Sequence, residues 1–271
     1  MPPLTPPSDP PRTVVTAPDV AAAAAAGGRE KRAYVQRTFS EIAPRYDLLN
    51  RVLSLNVDRW WRRRALAALA WTERPDGVYL DLCAGTLDVG ALLARQRGFR
   101  GLVVGADFAE PMLRAGAGKA PRVGAPSVAP VAADAVQLPF ADGALDGAIV
   151  AFGIRNVAGL DAALAEARRV LRPGGRFVIL EFTTPPNAVV RAAYHAYFHR
   201  VLPAVGGLVS GHRTAYRYLP ESVAHFPPEA ALADRMRAAG FAAVRWERLT
   251  LGIAAIHVGS AGLSAASTAR A

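Results

Sequence analysis

The sequence has one cysteine, Cys83, among its 271 residues, so it can close no disulfide within itself and can build no zinc cage from thiolates. That usage suits a cytoplasmic protein. No apolar run approaches the ~20 residues that a bilayer-crossing helix requires. Acidic residues are in deficit, 22 against 32 Lys and Arg, which leaves a formal charge of +10. Such a charge fits nucleic acid, an anionic membrane surface or a basic globular protein. With 52% hydrophobic and 20% charged residues the chain is globular in composition and long enough for one well-buried domain.

The first residues form a Pro- and Ala-rich stretch that opens on prolines rather than on a basic start, so they do not read as a secretory signal. The organisation expected is a disordered leader over 1–28, one domain over 29–259 that includes a helical cap at 29–71, and a flexible tail over 260–271. From Val78 onward short apolar runs alternate with helical patterns. Strands are predicted at Val78–Cys83, Leu102–Asp107, Val128–Ala133, Leu145–Phe152 and Arg176–Phe182. Helices are predicted at Leu87–Arg97, from Glu110, and at Leu160–Leu171, the last ending at the turn signal Arg172-Pro173-Gly174-Gly175. Ala242–Leu249 and Ile253–Gly259, joined by a short connection, predict an antiparallel pair at the sheet edge. The fold class is therefore α/β: a doubly wound, mostly parallel seven-stranded sheet with N-terminal helices, whose ligands bind beyond the carboxyl ends of the strands.

The first strand runs from Asp81 into Cys83-Ala84-Gly85-Thr86-Leu87-Asp88, where Gly85 permits a tight turn close to a ligand. Asp107 ends the second strand, where a carboxylate can accept both hydroxyls of a ribose. This pattern serves a nicotinamide dinucleotide or S-adenosylmethionine. The dinucleotide fingerprint wants a third glycine where Leu87 stands. Asp88 also sets a negative charge near the helix start, which repels a pyrophosphate but tolerates an amino group and a sulfonium. The methyl donor is therefore favoured. Asp134 and Ala135 follow the third strand where an adenine would lie, and the fourth delivers Ala151-Phe152-Gly153-Ile154-Arg155-Asn156, aiming Arg155 at the mouth of the site.

These segments, with Phe39-Ser40-Glu41-Ile42-Ala43-Pro44-Arg45-Tyr46-Asp47, with Arg169-Val170-Leu171-Arg172-Pro173-Gly174-Gly175 and with Tyr216-Arg217-Tyr218-Leu219-Pro220-Glu221-Ser222, make the chain resemble the quinone C-methyltransferases over Tyr34–Val258. These are the demethylmenaquinone and ubiquinone/menaquinone methyltransferases. The resemblance implies S-adenosylmethionine as cofactor, with Thr86, Asp107, Asp134 and Ala135 contacting it; Asp81, Gly85 and Ala151 complete the expected cofactor set. It implies demethylmenaquinol, a lipophilic prenylated quinol, as substrate. The family usually has glycine or alanine where Leu87 stands, often serine or glycine at Ala151, and often histidine at Asp58; Leu87, by crowding the methionine end, and Ala151, by removing a hydrogen bond, imply weaker cofactor binding.

Carbon methylation of a quinol requires a phenolate, an aligned ring and excluded water. Arg155 is the expected phenolate stabiliser, because a guanidinium stays charged and offers a fork of donors. Asp47 is a candidate base, and Tyr46 and Tyr218 are expected to reach the mouth. His195 and His199 stand four apart, a metal-ligand spacing, but no third ligand accompanies them, and no metal is expected. The Arg59–Arg64 cluster, with its two tryptophans, and the helix Asn187–Pro203 are the expected membrane-surface contact. A homodimer is a further expectation; nucleic acid is not, since no aromatic RNA-reading motif is present.

Overall fold

The computed structural model describes residues 30–43, 47, 54, 56–119, 127–201 and 213–262. The leader over 1–28 and Tyr46 lie outside the described residues. Seven strands form one sheet: β1 (Val78–Leu82), β2 (Leu102–Asp107), β3 (Ser127–Ala132), β4 (Leu145–Ala151), β5 (Leu171–Phe182), β6 (Phe241–Leu249) and β7 (Ala254–Ala261). Their order is β3-β2-β1-β4-β5-β7-β6. The first five run parallel, and β7 lies antiparallel between β5 and the edge strand β6. The chain winds outward from β1 to β3 and then returns to β4 on the other side of β1. That reversal opens a crevice beyond the carboxyl ends of β1 and β4.

Side chains alternate between the two faces of this sheet with the period of two that strands impose. Ile149, Val178, Leu180, Ile256 and Val258 face one core, shared with Trp61, Leu66 and Leu69, with Val89 and Leu93, and with Leu113 from helices of the N-terminal half, while Ala148, Val150, Phe177 and Ile179 face the other. The described helices are α1 (Glu30–Ile42), α2 (Val57–Leu69), α3 (Asp88–Ala94), α4 (Glu110–Gly116), α5 (Leu160–Val170), α6 (Ala188–Ala196), α7 (Arg213–Ala224) and α8 (Glu229–Ala238). In α5 the buried residues Ala163, Leu164, Ala167 and Val170 recur at helical spacing and form one apolar stripe. Asp161 in its first turn and Arg168 and Arg169 in its last oppose the ends of the helix dipole.

Two expectations are corrected here. Arg172–Gly175 is not a turn between elements but part of a long β5: Leu171 pairs with Leu145, the register slips, and pairing resumes at Gly147 and Arg176. Gly174, at φ +79, takes the left-handed backbone of that irregularity, which glycine adopts without steric cost. The helix expected over Asn187–Pro203 is α6 followed by a π-helical turn at Tyr197–Val201. Asn187 starts it, its side-chain oxygen accepting from the backbone N–H groups of Val189 and Val190 at 2.9 and 3.2 Å, which satisfies donors that a helix start leaves free.

Candidate functional site

A cleft lies at the carboxyl ends of β1, β2 and β4. Gly85, Asp107, Ala151 and Gly153 line its floor, and Phe108 and Met112 its side. Val35 and Phe39, one turn apart on α1, line it from above. Gly85 stands at φ +52, and a side chain on Gly153 would meet Cβ of Cys83 at 2.4 Å. The turns after β1 and β4 can therefore approach only because position 153 carries no side chain.

Asp107 is held by the backbone. Its Oδ2 accepts from Gly85 N–H and its Oδ1 from Ala109 N–H, both at 2.8 Å. Burial raises its pKa, and the backbone donors pull the other way. A carboxylate fixed between a glycine turn and the next helix start, in the cleft wall, can present acceptor lone pairs to the hydroxyls of a ligand without reorganising.

Thr86, Asp47, Asp88 and Lys119 form a second group beside Gly85. Thr86 Oγ1 donates to Asp47 at 2.6 Å. The Lys119 ammonium donates to Thr86 Oγ1 at 2.8 Å and to Asp88 at 2.6 Å, and it also pairs with Asp47. Two carboxylates and a hydroxyl thus converge on one cation. Asp47 is engaged here rather than standing free as a base.

Asp134 lies after β3, its Oδ2 paired with Arg32 of α1 at 3.0 Å and its Oδ1 accepting from Val136 N–H; Ala135 is buried beside it. Asp81 lies behind the cleft. It is fully buried, and its Oδ2 accepts from Gly90 N–H of α3 at 2.8 Å. Desolvation, opposed by that bond and by Arg62, pushes its pKa up to about 7. Leu87 does not crowd the cleft: it is buried and packs over Gly105, where an added Cβ would meet its Cδ2 at 2.3 Å.

Arg155 sits in the 3-10 turn Ile154–Asn156 after β4, but its guanidinium turns inward rather than into the mouth. Nη1 donates to Glu181 at 2.7 Å and to the Phe152 carbonyl, and Nε donates to Ser222 of α7 at 3.3 Å. The guanidinium also lies over the Phe182 ring, 5.6 Å from its centroid. Its neighbour Asn156 does line the cleft, and its buried Oδ1 has no partner among the described residues. Tyr218 is buried against Tyr34 of α1, with ring centroids 5.5 Å apart, and desolvation pushes its phenol up to about 12. Its hydroxyl, like that of Tyr194 on α6, is buried without a partner among the described residues.

An aromatic wall connects these parts. Trp61, Phe152, Phe182, Phe198 and Tyr194 follow one another with centroids 4.1 to 6.0 Å apart. In the Arg59–Arg64 cluster, Trp61 and Arg62 face inward. Arg62 pairs with Asp58 at 3.3 Å and lies over the Phe152 ring. Asp58 thus serves as a counter-ion, and only the remaining members of the cluster face solvent. Sequence reasoning missed Lys119 and Glu181; each is a lone charge whose partners lie far away in the chain. Among the described residues no three His, Cys, Asp or Glu side chains converge as a metal set.

The cleft suits an adenosyl group with an amino-acid tail: a fixed carboxylate for the sugar, apolar walls for the base, and an anionic corner for a cation. The chain is 55% identical over 221 residues, 82% of its length and 98% of the relative's, to a demethylmenaquinone methyltransferase of Thermus thermophilus. It is 44% identical, over 86% of its length and 91% of the relative's, to a Geobacter sulfurreducens ubiquinone/menaquinone biosynthesis C-methyltransferase. Among solved structures it shares its fold with a chain of a Haloferax volcanii complex between a methyltransferase and its activator. The TM-score is 0.59 at 16% identity, covering 83% of this chain and 97% of that one. The model of the ubiE/COQ5 methyltransferase family matches residues 27–261, nearly the whole domain that carries the cleft, and the chain belongs to that family.

Proposed function

We propose that this protein transfers a methyl group from S-adenosylmethionine to a ring carbon of demethylmenaquinol, giving menaquinol. One feature carries the choice of cofactor: Asp47, Asp88 and Thr86 converge on a single ammonium, that of Lys119, beside the glycine turn. Two carboxylates against one ammonium leave this corner net negative, so it opposes a pyrophosphate and suits the cationic amino-acid end of S-adenosylmethionine better than a dinucleotide. The relatives' names carry the choice of acceptor.

In this reading Asp107 holds the ribose, Gly85 and Thr86 flank the amino-acid tail, Asp134 and Ala135 border the adenine, Ala151 floors the cleft, and Asp81 fixes the turn from behind. The cofactor supplies an electrophilic methyl on a sulfonium. The acceptor's phenolic proton must leave so that its ring carbon becomes nucleophilic; the new carbon–carbon bond forms as the carbon–sulfur bond breaks, and loss of the ring proton restores aromaticity. Arg155 acts from behind the cleft: paired with Glu181 and bonded to Ser222, it holds the turn that brings Asn156, whose Oδ1 is buried and unpartnered among the described residues, to the acceptor. Tyr218 borders the acceptor, with Tyr46 a further candidate for that role; Asp47 stays with Thr86 and Lys119 at the cofactor's end, and Val35 and Phe39 keep water from the reacting centre. Because a prenylated quinol partitions into bilayers, the enzyme collects it at a membrane surface.

Purified protein, methyl-labelled S-adenosylmethionine and a reduced short-chain demethylmenaquinol test this. Label on a ring carbon, lost with Asp107→Ala, is the expected result. Binding of S-adenosylmethionine without transfer would reject the acceptor and keep the cofactor. A benzoquinol run in parallel tests the second acceptor, which the Geobacter relative's name puts forward.

A further inference from the structure

Four large apolar side chains are markedly exposed among the described residues: Trp60 (52%), Val189 (78%), Leu251 (73%) and Trp246 (37%). Trp246 is shielded by the Arg248 guanidinium, 5.1 Å from its ring centroid. The other three belong to segments that are joined through their chain neighbours beyond the carboxyl end of β5. Trp61, next to Trp60, donates from its indole N–H to Thr250 Oγ1 at 2.9 Å, next to Leu251. Gly252 packs against Pro185 and Pro186, and its carbonyl accepts from Thr183 Oγ1 at 2.7 Å. Those prolines lead directly into α6, whose second residue is Val189.

The turn itself is strained. Thr250 and Leu251 hold φ values of 47° and 59°, the left-handed region that glycine or asparagine fills at lower cost. A leucine there, pointing into solvent, serves neither the turn nor the core. Residues that break a local rule in this way mark function. The charge around them is of one sign. Arg59 and Arg63 on α2 are exposed and form no ion pair among the described residues, while the nearby acids Glu247 and Glu229 are taken by Arg64 and Arg248. The aromatic wall from Trp61 through Phe152 runs inward from this rim to the cleft.

We propose that Trp60, Leu251 and Val189 form a docking rim that inserts into an anionic phospholipid surface, with Arg59 and Arg63 meeting lipid phosphates, so that the acceptor enters along the aromatic wall. The inference rests on the quinol reading only for what passes through the rim; docking itself is read separately. Apolar tips entering the acyl boundary beside arginines at headgroup level are the usual physics of an interfacial contact.

Flotation of the full chain with vesicles of phosphatidylcholine, alone or mixed with phosphatidylglycerol, tests this. Recovery is expected with the mixed vesicles. Leu251→Asn and Trp60→Ser each lower it about tenfold, while Trp246→Ser does not. Leu251→Asn is also expected to raise the unfolding temperature by about 2 °C, since asparagine suits the left-handed turn, which separates lost docking from lost folding. On a water-soluble short-chain acceptor the variants keep their kcat; on a vesicle-embedded one their KM rises. Equal recovery of wild type and Leu251→Asn would overturn the proposal. So would a wild-type dimer in light scattering that Leu251→Asn dissociates, without vesicle recovery of either, because the rim would then belong to a second copy. Absence of methylation on the soluble acceptor would reject the quinol reading and leave the flotation result standing.

Discussion

A buried carboxylate can be a structural expense rather than a functional asset, and Asp81 shows how the two are told apart. Its folded pKa, about 7, stands above the unbound value of 3.8, so the folded protein holds this proton over a pH range in which the unfolded chain has released it. Below about pH 4 both states carry it and Asp81 costs nothing. As pH rises from about 4 to 7, its stabilising share is lost, by roughly 4 kcal/mol at most at ~1.4 kcal/mol per pH unit. Asp81→Asn cannot ionise and escapes this loss, though it buries an amide N–H that must find an acceptor. The difference in unfolding free energy between Asp81→Asn and wild type should therefore shift in the variant's favour between pH 5 and pH 8. A pH-independent difference in denaturant titrations would contradict the assignment. Leu87 makes a parallel case. Because its side chain packs over Gly105 rather than into the cleft, Leu87→Ala should cost about 2–4 kcal/mol of stability and leave the affinity for S-adenosylmethionine within a few-fold of wild type by calorimetry.

Helix α1 is the element that closes the site, and it does so through few contacts. Lys31 donates to the Arg155 carbonyl at 2.8 Å, Gln36 to the Phe108 carbonyl at 3.4 Å, and Arg32 pairs with Asp134. Burial and the Arg155 charge lower the Lys31 pKa, so this anchor weakens as pH rises. Phe39→Ala removes one of the two apolar side chains over the cleft without touching those anchors. It should speed release of bound S-adenosylmethionine about tenfold in stopped-flow measurements; an unchanged release rate would show that α1 does not gate the cofactor. The sequence made the strands legible, because apolar runs such as Ala148–Val150 and Phe177–Leu180 admit few alternatives. It made the glycine turn and Asp107 legible because a ligand-binding turn and its acid keep a characteristic separation. Three features were hidden. Arg155 looked aimed at the mouth, but its partner Glu181 comes from the next strand and turns it inward. Lys119 gathers Asp47 and Asp88 from distant segments. The turn signal at Arg172–Gly175 was absorbed into β5, since pairing of Leu171 with Leu145 holds the strand together across a bulge that local propensity cannot anticipate.

At the scale of the whole molecule, a formal charge of +10 and a rim of apolar tips predict two separable contributions to membrane engagement. Unpaired arginines draw the protein toward anionic lipid over a Debye length, about 10 Å at 0.1 M salt and about 3 Å at 1 M. The apolar tips act only after contact, and salt does not screen them. Raising salt from about 0.1 to 1 M should therefore reduce recovery on anionic vesicles several-fold without abolishing it in the wild type. In Leu251→Asn, where much of the apolar contribution is gone, the same change should reduce recovery far more steeply than in the wild type, since Trp60 and Val189 alone remain as unscreened contacts. Turnover of a vesicle-embedded acceptor should follow recovery in both proteins, whereas turnover of a soluble acceptor should stay flat. If salt instead lowered both activities together, the charge would be acting at the cleft, where Asp47, Asp88 and Lys119 lie partly open to solvent, and not at the rim.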